Sequence, residues 1–280
     1  MSETLSFWEA RFLWRDPVLA AVIAACGCAY VGVFIVLRRG IFVSAAVTQA
    51  SGFGVVLALL APKLGLPTIP PLAAGIGLGT VSSLLFGISG ERTRIGADGV
   101  IAAVYLTTLA LGVVLGAYLT HEYSDVRAIL MGEAVAIRQA DLAVLAATVV
   151  LVLGLHLGFR NSIASVTYDP EVASVHSAAR SSLASALLFL TAGLVASVGT
   201  YAIGALPVFA FLVLPPLGAL MIAERLHTAL LLSVGLACTA AAGGYYVSFV
   251  LSLPTGATMA VAASLSLAPG LLRTLAGRAG

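Results

Sequence analysis

Apolar residues run along this chain in blocks too long for the core of a water-soluble domain, and polar residues gather in the short gaps between them. The uncharged runs are Pro17–Leu37, Gly40–Pro62, Leu64–Gly90, Gly99–Thr120, Leu142–Phe159, Ser181–Ala223, and Leu226 to just before Arg273. About 20 residues cross a bilayer as a helix, so each of the first five runs predicts one span. The last two are long enough for two spans each. Gly199, Gly204 and Pro207 interrupt the Ser181–Ala223 run, and a re-entrant half-helix competes there with a second full crossing. The pattern therefore predicts an all-α, polytopic helical membrane protein with eight to nine transmembrane helices, forming a single transmembrane domain over residues 1–280.

Charge usage agrees with a lipid environment. Only 14 Lys+Arg and 12 Asp+Glu occur in 280 residues, and a charge at the bilayer centre costs roughly 2.5–3.5 kcal/mol even on insertion scales. With 60% hydrophobic residues and a mean hydropathy of +1.09, the chain lacks the polar surface of a soluble domain of this length. The connections are short, so any energy-coupling, binding or catalytic domain is expected on a separate chain. No basic stretch exceeds two residues, which gives no footing for nucleic acid.

Residues about 5–15 form an amphipathic stretch, with Phe7, Trp8, Phe12, Leu13 and Trp14 beside Glu9, Arg11 and Arg15, suited to the membrane interface. Ile23-Ala24-Ala25-Cys26 has the look of a lipoprotein cleavage box. The apolar run continues through it to Leu37, so it reads as the middle of an uncleaved first helix. Cys26, Cys28 and Cys238 all fall inside apolar spans, where disulfide pairing is not expected and no redox compartment can be read. Cys26 and Cys28 point about 200° apart on a helix and read as small apolar packing. Gly75, Gly77 and Gly79 imitate a dinucleotide fingerprint, but no strand precedes them and close helix packing is the better reading.

The basic residues assign the two faces. One set of loops holds Arg38, Arg39, Arg92, Arg94, Arg160, Arg180, Arg225, Arg273 and Arg278; the other holds Arg11, Arg15, Lys63, Arg127 and Arg138. Positive charge concentrates on the cytoplasmic side, so the first set faces inward, with the N-terminus outside and the C-terminus inside for an odd span count. The loop of about 160–180 is then cytoplasmic, and His121–Asp141 is the longest outer connection. In the inner loop, Asp169 is suited to cap a helix with Pro170 at its first position and Glu171 in its first turn. Such a helix suits docking to another protein; an ordinary ordered loop reads equally well from local signals.

At this loop the chain resembles the metal-type permeases of ABC importers. Tyr168-Asp169-Pro170-Glu171-Val172-Ala173 matches the family's aromatic-Asp-Pro-Glu-x-Ala segment. Further matches fall in the same order along the chain: Val36-Leu37-Arg38-Arg39, the basic loop from Arg92 to Asp98-Gly99, Leu130-Met131-Gly132-Glu133 with Asp141-Leu142, Leu212-Val213-Leu214-Pro215-Pro216, and Pro254-Thr255-Gly256-Ala257. The resemblance spans about residues 10 to 272. It implies a permease subunit of the bacterial inner (cell) membrane, paired with a second permease subunit, an ABC ATPase and an extracellular or periplasmic solute-binding protein. Tyr168, Asp169, Pro170, Glu171 and Ala173 would form the coupling helix on the ATPase. The implied cargo is a divalent metal: zinc, manganese or iron(II). ATP would be bound by the partner, and this chain would carry no cofactor of its own.

One departure bears on the cargo. After the paired arginines the family usually reads Gly-Asp-Ala-x-Ser-His-Ala, placing Asp and His one helical turn apart on one face, where they offer a carboxylate oxygen and an imidazole to a divalent cation. Here Ala45 stands at the aspartate position and Gln49 at the histidine position. Ser44, Thr48 and Gln49 remain as neutral polar candidates for the translocation path, and the metal ligands are unknown. Cargo therefore stays open between a free divalent metal, a metal chelate and an organic solute, with a non-transporting membrane scaffold as the alternative of another class.

The other polar residues have ordinary readings. His156 is a satisfied or interface-facing histidine, while His176 and His227 are boundary anchors. His121, Glu122, Asp125 and Glu133 are solvated charges of the outer loop, and Asp98 caps the helix that follows it. There is no phosphate loop, no His-Glu-x-x-His, no Gly-x-Ser-x-Gly and no closely spaced pair of intramembrane carboxylates, so enzymatic chemistry is not expected.

Overall fold

Prolines and glycines, more than charges, decide where the helices begin and end. The computed structural model describes residues 11–89, 97–119, 132, 137–169, 172–173, 175 and 177–276. The helices are α1 (Arg11–Leu37), α2 (Ile41–Leu60), α3 (Pro71–Ser89), α4 (Ala97–Gly116), α5 (Gln139–Gly158), α6 (Arg160–Tyr168), α7 (Ala178–Ile203), α8 (Ala205–Ile222), α9 (Leu226–Leu251), α10 (Thr255–Ser264) and α11 (Ala268–Ala276). No strand occurs among the described residues. Among the described residues eight segments are long and apolar enough to cross a membrane; the last, Thr255–Arg273, runs through α10 and a short 3-10 turn into α11. The apolar stretch Pro71–Gly87 of α3 is shorter, because Pro67 and Pro70 keep residues 66–70 out of the helix and Pro71 opens it. The interfacial stretch expected at about 5–15 lies mostly outside the described residues; from Arg11 onward it is continuous with α1.

Pairwise contacts give the directions of the helices. Ser233 Oγ donates to the Ala29 carbonyl at 3.0 Å and Cys238 Sγ lies 3.9 Å from the Val22 carbonyl, so α9 runs antiparallel to α1. Gly27 faces Val149 while Tyr30 and Phe34 flank His156, so α5 runs parallel to α1. Gly79 meets Ser197 and Gly87 meets Phe189, which makes α3 and α7 antiparallel. Gly218 packs on Ser266 and Gly270 on Met221, so α8 and the last span are parallel.

The break between α7 and α8 is Gly204 alone, at φ +92°, a conformation that side-chain-bearing residues rarely adopt. Gly199 and Pro207 both sit inside helices. Gly199 faces Val208 across the turn, and α8 ends beside Arg273, whose Nη1 donates to the Ile222 carbonyl at 2.8 Å. The two helices are therefore an antiparallel pair of crossings, and the re-entrant alternative does not hold. Arg38, Ser185, Ile222 and Arg273 lie at one end of the bundle; Gly132, Ile203, Pro207 and Gly256 lie at the other.

α1 runs through the middle, packed against α5, α7, α8 and α9. Its fully buried positions are small in the first half, at Ala20, Ala21, Ala24, Ala25, Cys28 and Ala29, and turn to Val31 and Val33 toward the Arg38 end. Small residues let membrane helices approach closely where lipid tails supply no hydrophobic drive for association. Large apolar side chains point outward instead, among them Leu106 and Val114 on α4, Val150 and Leu157 on α5, and Leu231 on α9. Such a surface suits hydrocarbon rather than water.

Candidate coupling face and permeation path

The face at the Arg38 end is built by α6 and the turn after it. α6 starts directly after α5, with only Phe159 between them. It buries Ile163, Val166 and Thr167, spaced i, i+3 and i+4, against α7 and α1. Asp169 then leaves the helix in an extended conformation. Its Oδ1 accepts the Val172 N–H at 3.0 Å and its carbonyl accepts the Ala173 N–H at 3.0 Å. Asp169 thus performs the capping expected of it; Pro170 and Glu171 lie outside the described residues. Ser177 caps α7 through the Arg180 N–H at 3.4 Å.

Between α6 and the start of α7 lies a groove of about 580 Å³, lined by Ser162, Ser165, Asp169, Val172, Ala173 and Arg180. Tyr168 (64% exposed), Val172 (54%) and Val175 (84%) stand out from this end of the molecule. Ala173 is half-buried. α6 was not anticipated, although the spacing of Ile163, Val166 and Thr167 carried its signal.

The proposed path residues lie on α2. Ser44, Ala45 and Thr48 are buried, and Thr48 Oγ1 turns back to donate to the Ala45 carbonyl at 3.0 Å. Gln49 is half-buried, with its Oε1 enclosed and unpaired among the described residues. Ser44 borders a narrow void with Ser83, Ala192, Ala196 and Leu212. Neutral polar atoms continue across to α3 and α7: Ser51 Oγ donates to the Ser197 carbonyl at 3.4 Å and Ser83 Oγ to the Phe189 carbonyl at 2.6 Å. Thr80 Oγ1, Ser197 Oγ and Thr200 Oγ1 are enclosed without partners among the described residues. This seam offers hydroxyl, amide and carbonyl groups and no carboxylate. No group of three or more His, Cys, Asp or Glu able to hold a metal occurs among the described residues.

His156 is an interior residue, 1% exposed. Its Nε2 lies 2.8 Å from Thr191 Oγ1, and its ring packs at 5.5 Å from both Tyr30 and Phe34. His227 is exposed at the start of α9. Asp98 sits exposed in the first turn of α4, where the helix dipole favours an anion. His121, Glu122, Asp125, Glu133 and His176 lie outside the described residues.

At the opposite end Gly132 joins three elements. Its carbonyl accepts the Gly256 N–H at 2.6 Å and the Thr255 hydroxyl at 3.3 Å, and the residue packs on Pro207. Nearby, Arg138 pairs with Asp141 at 2.9 Å and reaches Tyr201 Oη at 3.4 Å. The Asp141 carboxylate, accepting from Arg138, holds that guanidinium above its ordinary pKa.

Known proteins of the same build exist. The model of the ABC 3 transport family matches residues 11–273. The manganese transport system membrane protein MntC of Halalkalibacterium halodurans is 26% identical over 250 residues, covering 89% of this chain and 83% of that protein. The high-affinity zinc uptake system membrane protein ZnuB of Haemophilus influenzae is 25% identical over 198 residues, covering 71% of this chain and 73% of that one. Among solved structures, PsaBC from Streptococcus pneumoniae in complex with Fab superposes with a TM-score of 0.78 at 21% identity, covering 94% of each chain; at that identity the likeness concerns the fold.

Proposed function

This chain belongs to the ABC 3 transport family, and from that premise we propose that it is the membrane-spanning permease subunit of an ATP-driven importer for a divalent metal ion: manganese, zinc or iron(II). The observation that carries the reading is similarity along nearly the whole chain to membrane proteins of manganese and zinc transport systems. Two permease subunits, alike or related, enclose the path; an ABC ATPase hydrolyses ATP; an external solute-binding protein delivers cargo. The Arg38 end faces the cytoplasm, in keeping with its arginines. The ATPase docks on Tyr168–Ala173, where exposed Tyr168 and Val172 flank the Asp169 cap. ATP-driven closure of the ATPases moves this turn, and α6 and α7 pass the motion to the spans in alternating access.

Cargo passes Ser44, Thr48 and Gln49 on α2. Ala45 and Gln49 in place of carboxylate and imidazole favour a second reading, in which the cargo is a metal chelate or organic solute that needs no strong ligand from the wall. Growth of a strain lacking the gene, in medium made metal-poor by a chelator, distinguishes the two. Rescue by one free divalent metal supports the metal importer. Rescue only by a pre-formed chelate supports altered cargo, and unimpaired growth would favour a non-transporting scaffold.

A further inference from the structure

Cys26 and Cys238 are separated by more than 200 residues, yet the fold brings them to one level at the middle of the α1–α9 seam. The antiparallel register set by Ser233 on Ala29 brings residue 238 level with residues 22–26 of α1. The Cys238 thiol donates to the Val22 carbonyl at 3.9 Å, and Val22 lies one helical turn before Cys26 on α1. Backbones approach closely here because the facing residues are small: Ala25, Ala29, Ala237 and Ala241 are all fully buried. Both sulfurs belong to half-buried residues, whereas Cys28, two positions along α1, is fully buried and faces Gly199 on α7.

We propose that Cys26 and Cys238 form an oxidisable dithiol, a modification site at which a disulfide joins α1 to α9. Two thiols at one level of neighbouring helices, backed by fully buried alanines that let the backbones approach, are placed for the short Cα separation that a disulfide requires. Neither is sealed in the interior, so a co-reactant reaches them from the lipid side. Because the pair lies midway along both helices, the electron acceptor is one that dissolves in the bilayer, a quinone, rather than a water-soluble disulfide. Each thiol gives up one proton and one electron, the S–S bond forms, and the quinone becomes the hydroquinone. The product staples the central helix to the helix packed along its length and opposes any sliding between them.

The test uses the full chain in membranes, exposed to diamide, whose azo bond takes up the two electrons and two protons. Free thiols are then alkylated with N-ethylmaleimide, and the protein is digested and analysed by mass spectrometry without reduction. The expected result is equal loss of alkylation at Cys26 and Cys238, with a peptide joining the two that dithiothreitol separates. The same peptide appears in Cys28→Ser and is absent from Cys26→Ser and Cys238→Ser. Full alkylation of both residues after diamide would overturn the proposal. So would a disulfide running instead to Cys28 or between two copies of the same cysteine.

Discussion

Arg38 Nη1 donates to Ser185 Oγ at 3.0 Å, joining the end of α1 to the second turn of α7. The guanidinium also lies 5.2 Å above the Phe189 ring, one turn further along. The contact holds the central helix against the helix that follows the Asp169 turn, so it lies between that turn and the spans.

Arg38→Ala removes both the hydrogen bond and the cation–π contact, and is expected to lower stability by about 1–2 kcal/mol. Uptake per ATP hydrolysed should fall further than stability alone explains. Arg38→Lys keeps the charge and should recover part of both. Thermal unfolding in detergent and paired uptake and ATPase assays provide the two readings.

Asp169 separates capping from docking. Asp169→Asn retains an oxygen for the Val172 N–H, whereas Asp169→Ala leaves that N–H without its partner, at about 0.5–2 kcal/mol of local helix stability. The alanine variant is expected to uncouple ATP hydrolysis from uptake while the chain still inserts and folds. Glu171→Ala is expected to uncouple as well. Unchanged transport in all three variants would remove Tyr168–Ala173 as the docking segment.

His156 and Thr191 form an interior pair through one ring nitrogen, while His156 Nδ1 is enclosed without a partner among the described residues. Thr191 donates its hydroxyl hydrogen to a carbonyl one turn back, at 2.8 Å from Leu187 or 2.9 Å from Leu188, and accepts from His156 Nε2. Thr191→Val strands the imidazole N–H, at about 1–3 kcal/mol. The double variant His156→Leu/Thr191→Val should lose less than the sum of the single losses, by a double-mutant cycle on thermal unfolding. A metal-ligand role for His156 would show instead as a selective loss of uptake with stability retained.

The glycines of α1 and α3 divide by what faces them. A Cβ on Gly32 would overlap the Leu212 carbonyl on α8, and one on Gly79 would overlap Ser197 Oγ and crowd Ser51 on α7 and α2; a Cβ on Gly77 meets nothing. Gly32→Ala is expected to destabilise by about 1–3 kcal/mol, because backbone cannot move aside as a flexible side chain can. Gly77→Ala should be neutral or slightly stabilising. Detergent melting of the three alanine variants checks the order Gly32, Gly79, Gly77.

Much of this architecture is legible in the chain because lipid enforces one rule, that charge stays at the ends of spans. The paired crossings of Ser181–Ala223 and of Leu226–Arg273 follow from length, and the Asp169 cap follows from local chemistry. α6 escaped because it is only nine residues long and its single buried stripe resembles loop composition. The start of α3 was placed early because Leu64–Gly90 is uncharged throughout, and its prolines speak of backbone rather than polarity. The partnerships Arg38–Ser185, His156–Thr191 and Ser233–Ala29 depend on which helices lie side by side, and in a membrane the small-residue stripes that decide this look much alike from helix to helix.

The most direct measurement is whole-cell metal content by mass spectrometry, comparing intact and deleted strains in chelator-limited medium. The account predicts a selective fall in one of manganese, zinc or iron, restored by the wild-type gene and not by Asp169→Ala. Equal contents of all three metals in both strains would contradict it.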